Sequence, residues 1–216
     1  MSVSQRDNRG RVPIFNSVPP GVGLILLGVL GVYLIEFALP GVAGWIRQAG
    51  VIYLAESQVQ LPLQPLGAFA PYLLHVFIHF GFLHVAMNSV ILVSTGREVE
   101  AAFGPGHRGM VGFLVFFFIC SVIGALSSVL THSGDPTAMA GASTGVSGLI
   151  AAAGWVRGGW RGMAQLALPW IGLNLLIGLS NMFASIPIGW MAHIGGTIAG
   201  AILFPVLLAL FRRASD

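Results

Sequence analysis

The sequence predicts an all-α, polytopic membrane protein built as a bundle of six transmembrane helices. Three observations predict it. Of the 216 residues 56% are hydrophobic and only 8% are charged, whereas a soluble domain needs about 25% charged residues to cover its surface. The apolar residues fall into six separate runs. The ten arginines, with no lysine among them, sort almost wholly to one side of those runs.

The runs cover residues 21–39, 72–93, 110–130, 143–156, 163–183 and 187–211. Each crossing takes roughly 20 residues, so six use nearly the whole length; the fourth run is short. The connection over 40–71, with Trp45, Arg47 and Glu56, reads as an interfacial loop containing some amphipathic helix. The apolar run after the polar stretch 1–13 is long and has no convincing small-residue cleavage site, which predicts a retained first helix rather than a signal peptide. The expected organisation is a cytoplasmic tail over 1–18, a membrane domain over 19–211 and a second cytoplasmic tail over 212–216.

Orientation follows from the arginines. Arg6, Arg9 and Arg11 precede the first run, Arg97 and Arg108 follow the second, Arg157 and Arg161 follow the fourth, and Arg212 and Arg213 follow the sixth. Six crossings place these nine on one side and Arg47 on the other. The positive-inside rule then puts both termini in the cytoplasm, as in a bacterial inner membrane protein. The net charge of +3 and pI near 9.8 come from scattered arginines without a basic, aromatic-studded stripe, so no nucleic acid is expected as a partner. The single cysteine, Cys120, excludes an internal disulfide and a cysteine-based metal cluster.

Polar residues inside apolar runs are costly and need a reason. The second run holds His75, His79, His84 and Asn88; the last two, four apart, share a helical face. The fourth opens with Gly141-Ala142-Ser143-Thr144-Gly145-Val146-Ser147-Gly148, and the sixth holds His193, Gly196 and Gly200 at spacings of three and four. A glycine stripe allows backbone contact with another helix. Ser143, Ser147 and Ala151 form a matching small-residue stripe. If the stripes meet, a serine hydroxyl faces an imidazole, the minimum for nucleophilic catalysis. No carboxylate lies within a few turns of His193, so this would be a dyad. With six crossings, Ser143 starts its segment and His193 lies about 9 Å into its own, both from the outer side. His84 and Asn88 enter from that side too, placed to stabilise an oxyanion.

On these residues the chain resembles the rhomboid family of intramembrane serine proteases, in its compact six-helix bacterial form. His79-Phe80-Gly81-Phe82-Leu83-His84 with Asn88, Gly96-Arg97 through Glu100, Gly141-Ala142-Ser143 with Gly148-Leu149, and Ala192-His193-Ile194-Gly195-Gly196 carry the likeness over residues 64–205. The resemblance implies Ser143 as nucleophile and His193 as general base. It implies His84, Asn88 and Gly141 around the oxyanion, His79 in a supporting hydrogen bond, transmembrane proteins as substrates, and neither metal nor organic cofactor. Two features depart from the family pattern: Thr144 stands where glycine usually follows the serine, and Ala70-Pro71 where many members carry Trp-Arg. Gly145-Val146-Ser147-Gly148 fits Gly-x-Ser-Gly, so Ser147 is an alternative nucleophile, about 6 Å deeper.

Plainer readings stand beside this one. The serines can serve helix contact, His75 can be a packing residue, Glu36 a snorkelling or capping group, and Asn174 and Asn181 structural hydrogen-bonders. Histidines on facing helices can bind haem, but haem has no use for the serine stripe or Asn88. A channel would spread its polar residues along a path. A non-catalytic relative that binds client transmembrane helices is the remaining alternative, and the oligomeric state is left open.

Overall fold

Pro20, whose missing N–H would have no partner in a first helical turn, starts α1 (Pro20–Ala38) in a computed structural model that describes residues 18–55, 63–133, 136–180 and 188–213. Arg6, Arg9, Arg11, Glu56, Asn181 and the tail residues 1–17 and 214–216 lie outside the described residues. One stripe of α1, including Val22, Ile25 and Val29, is buried, while Leu24, Leu27, Leu34 and Phe37 stay exposed although apolar. An outer face of that composition suits lipid.

A carboxylate from a distant helix closes the start of α1. Glu100, buried on α4 (Phe82–Phe103), accepts hydrogen bonds from the backbone N–H of Gly21 at 3.0 Å and of Val22 at 2.9 Å. These are two of the donors that a helix start leaves unpaired, and the negative charge complements the helix dipole. Replacing Glu100 with alanine is expected to cost about 3 kcal/mol, the sum of two partly compensated charge-assisted bonds. The measurement is thermal unfolding in detergent, with Glu100→Gln intermediate.

At the far end of α1, Glu36 neither snorkels nor caps. It is buried and accepts from Arg47 Nε at 2.8 Å, tying α1 to α2 (Pro40–Gly50). This is the amphipathic helix expected over 40–71. After it, β1 (Ile52–Leu54) pairs antiparallel with β2 (Thr137–Met139), Tyr53 opposite Ala138. The all-helical expectation omitted this ribbon, because three-residue strands are too short to show alternation.

The second apolar run is not one helix. It forms α3 (Ala70–Leu74), a 3-10 turn over His75–Phe77, a break, and then α4, with a bend of 94° between the two parts. His75 therefore lies in the turn and His79 in the break, not on the helix of His84 and Asn88. The break is extended at Ile78 (φ −97°, ψ 133°) and Gly81 (φ 171°, ψ 168°). Non-helical backbone at membrane depth must find partners inside the protein. Here the His75 carbonyl accepts from Gly141 N–H at 2.8 Å.

The helix α5 (Gly106–Thr131) runs through the centre, with Phe113, Phe116, Phe117 and Cys120 fully buried. Phe116 and Phe103 both pack edge-on to Phe204. The fourth and fifth runs form α6 (Ser143–Ser180), interrupted by non-helical dihedrals at Gly158 and Gly159. A straight helix would hold Ser147 and Trp170 about 34 Å apart, yet their side chains are hydrogen-bonded at 3.0 Å. α6 is thus a hairpin of two antiparallel halves. Its turn lies at the end of the bundle where Arg157 Nε meets Glu98 of α4 at 3.0 Å.

The last helix, α7 (Trp190–Arg213), packs on α5 and α6. A Cβ on Gly196 would run into the carbonyl of Thr144, and one on Gly200 into that of Gly148. The glycine stripe thus meets Thr144 and Gly148, one residue round the helix from Ser143 and Ser147, because Gly148 itself offers bare backbone. Among the described residues α1, α5, α6 and α7 are long and apolar enough to cross a membrane, and the bent α3–α4 pair makes a fifth candidate. The chain is a mostly helical, multi-pass membrane protein.

Candidate active site

The residues leading out of β2 set the site. Gly141 has φ +125°, where a side chain is strained, and a Cβ there would sit 2.7 Å from His84 Nε2. Glycine is needed for both reasons. The next N–H, of Ala142, points to His79 Nε2 at 3.4 Å. Ser143 follows as the first residue of α6.

Ser143 Oγ lies 2.8 Å from Nε2 of His193, which is one turn into α7. Trp170, on the second half of α6, stacks on the imidazole with ring centroids 5.9 Å apart. On the other side of the ring, His193 Nδ1 is 2.8 Å from Asn174 Oδ1. The two halves of α6 therefore converge on one histidine of α7.

Ser147 is engaged differently. Its hydroxyl is fully buried, donates to the Ser143 carbonyl at 2.7 Å and accepts from the Trp170 indole at 3.0 Å. The structure brings Ser143, not Ser147, against the imidazole. His84 packs edge-on to His79, centroids 4.8 Å apart, and lies beside Gly141. The amide of Asn88 donates to the carbonyl of His84 at 2.9 Å, which occupies one of its two N–H groups.

Three roles escaped the sequence reading. Asn174 contacts the histidine itself, and Trp170 stacks on it; their spacing of four in an aliphatic stretch was the visible signal. Thr144, the departure from the usual glycine, is buried with its hydroxyl 3.1 Å from His75 Nε2, while His75 Nδ1 meets the Pro71 carbonyl at 3.0 Å. Thr144 thus has a structural partner of its own. Thr144→Val is expected to cost about 1–3 kcal/mol by orphaning a buried ring nitrogen, and Thr144→Ser to stay near wild type, read as unfolding temperature in detergent.

A family model described as Rhomboid domain matches residues 67–210. The chain belongs to the rhomboid family. The rhomboid match contains every site residue named above, from His75 to Gly200. The chain is 32% identical over 129 residues to "Rhomboid protease GluP" of Bacillus subtilis (strain 168), covering 58% of this chain and 23% of that protein. It is 30% identical over 135 residues to "RHOMBOID-like protein 5" of Arabidopsis thaliana, covering 62% and 42%. The chain thus spans less than half the length of these curated rhomboid relatives.

Proposed function

We propose that the chain is an intramembrane serine endopeptidase that cleaves transmembrane segments of other membrane proteins, with Ser143 as nucleophile and His193 as general base. The contact of 2.8 Å between Ser143 Oγ and His193 Nε2 carries the reading. A hydroxyl alone is a weak nucleophile, and a neutral imidazole in hydrogen-bond reach activates it.

In the proposed reaction Ser143 Oγ attacks the scissile carbonyl carbon and its proton passes to His193 Nε2. The oxyanion forms beside the N-terminus of α6, where the first N–H groups have no intrahelical acceptor. His84, close to Gly141, and the second N–H of Asn88 add donors, and His79 holds the Ala142 backbone in place. His193 returns the proton to the leaving amine as the carbon–nitrogen bond breaks. Water, deprotonated by His193, then attacks the acyl carbon, and His193 gives that proton to Ser143 Oγ as the ester bond breaks.

Counting the two halves of α6 separately, with the α3–α4 pair as one crossing, gives six spans. Six spans with nine of the ten arginines on one side support cytoplasmic termini in a bacterial inner membrane. The membrane domain then runs over 19–211, between tails at 1–18 and 212–216.

A non-catalytic rhomboid-like protein that binds client helices is the competing reading. Its motivating feature, Thr144, is accounted for by His75 without disturbing the Ser143–His193 pair. The test uses purified protein and a single-span substrate with helix-breaking residues in its membrane segment. Wild type is expected to cut it. Ser147→Ala loses two hydrogen bonds, to the Ser143 carbonyl and from the Trp170 indole, about 2 kcal/mol together, and is expected to keep cleavage within about 30-fold of wild type. Binding of the substrate without any cut would favour the client-binding reading.

A further inference from the structure

The hydrogen bonds around Asn174 permit only one placement of protons. Asn174 is buried, 1% exposed, one turn beyond Trp170. The Trp170 carbonyl can only accept, so the Asn174 atom facing it at 2.8 Å is the NH2 group. The amide oxygen is left facing His193 Nδ1 at 2.8 Å. An amide oxygen can only accept, so Nδ1 bears the ring proton. In a neutral imidazole Nε2 then carries the lone pair, and that is the nitrogen 2.8 Å from Ser143 Oγ.

We propose that Asn174 is a positioning residue that holds His193 in the single tautomer able to take the Ser143 proton. The catalytic part of this inference rests on the protease reading above; the tautomer does not. It replaces the dyad expected from the sequence with a three-member arrangement whose third member is an amide from the second half of α6.

An amide is often a poor third member. Where it is free to turn its NH2 toward the imidazole it holds the wrong tautomer, and in a serine protease that error lowers kcat about 10⁴-fold. The Trp170 carbonyl removes that freedom here, by engaging the NH2. Trp170 is itself fixed, since its indole N–H is bound by Ser147, whose hydroxyl is bound to the Ser143 carbonyl. The contacts close a ring through Ser143, His193, Asn174, Trp170 and Ser147. After proton transfer, the Asn174 oxygen still accepts from Nδ1–H and stabilises the imidazolium by its dipole.

The experiment records ¹⁵N resonances of the histidine rings in labelled full-length protein in detergent, with His193 assigned by its loss in His193→Ala. Wild type is expected to show a protonated Nδ1 and a bare Nε2. Asn174→Leu, close in shape, is expected to give mixed tautomers and to lower kcat about 10- to 100-fold with KM little changed. Asn174→Asp keeps the acceptor and is expected to keep Nδ1–H, which serves if the leucine variant fails to fold. A protonated Nε2 with a bare Nδ1, in wild type or in Asn174→Asp, would overturn the proposal. So would an unchanged tautomer and kcat in Asn174→Leu. A wild type with Nδ1–H and no cleavage of any substrate supports the tautomer assignment and overturns the protease reading instead.

Discussion

Replacing Ser143 with alanine is expected to lower cleavage by about 10⁴- to 10⁶-fold while the protein stays folded. The hydroxyl is the atom that forms the acyl bond, and among the described residues no other hydroxyl is hydrogen-bonded to the imidazole; Ser147 is tied to the Ser143 carbonyl and the Trp170 indole. The structural cost is small, because Ser143 and His193 are only half-buried. Losing one hydrogen bond there costs about 1 kcal/mol. His193→Ala is expected to show a similar loss. The double variant should be no worse than either single one, since residues that act as a unit are not additive. The readouts are kcat/KM on a single-span substrate and unfolding temperature in detergent. A double variant far below both singles would mean that the two side chains act separately.

Gly196→Ala is expected to damage stability and activity together. Its new methyl would collide with the carbonyl of Thr144, a backbone atom that cannot rotate away. α7 must then move off α6, at a cost of about 3 kcal/mol, the upper end for overpacking. His193 is one turn from Gly196 and moves with it. Misplacement by about 1 Å from a change outside the chemistry can cost about 100-fold in rate. Gly31→Ala and Gly172→Ala are the controls, because a Cβ at either position meets nothing within 4 Å. They should be neutral or slightly stabilising, as alanine favours a helix over glycine. Equal effects at Gly196 and Gly172 would contradict the packing account.

Much of this was legible in the sequence, for identifiable reasons. The apolar runs mark the helices because bare backbone is intolerable in lipid, so hydropathy and helix coincide. The expected starts and ends of α1 and α5 lie within four residues of those observed. His193 and the opening of α6 stood out because polar groups in apolar runs are rare.

The rest was hidden by the same apolar signal. Val76, Phe77 and Ile78 carry high hydropathy through the break, so the second run looked like one helix. Asn174 and Trp170 act on a residue from another helix, and a linear pattern does not show that convergence. Thr144 looked like a defect in a motif because its partner, His75, is 69 positions away.

The most direct test of the central claim is reaction with a fluorophosphonate, whose phosphorus is attacked by an activated serine with loss of fluoride, followed by mass-spectrometric location of the adduct. The account predicts one adduct, on Ser143, in wild type and Ser147→Ala, and none in His193→Ala. An adduct on Ser147, or one on Ser143 that survives loss of His193, would contradict it.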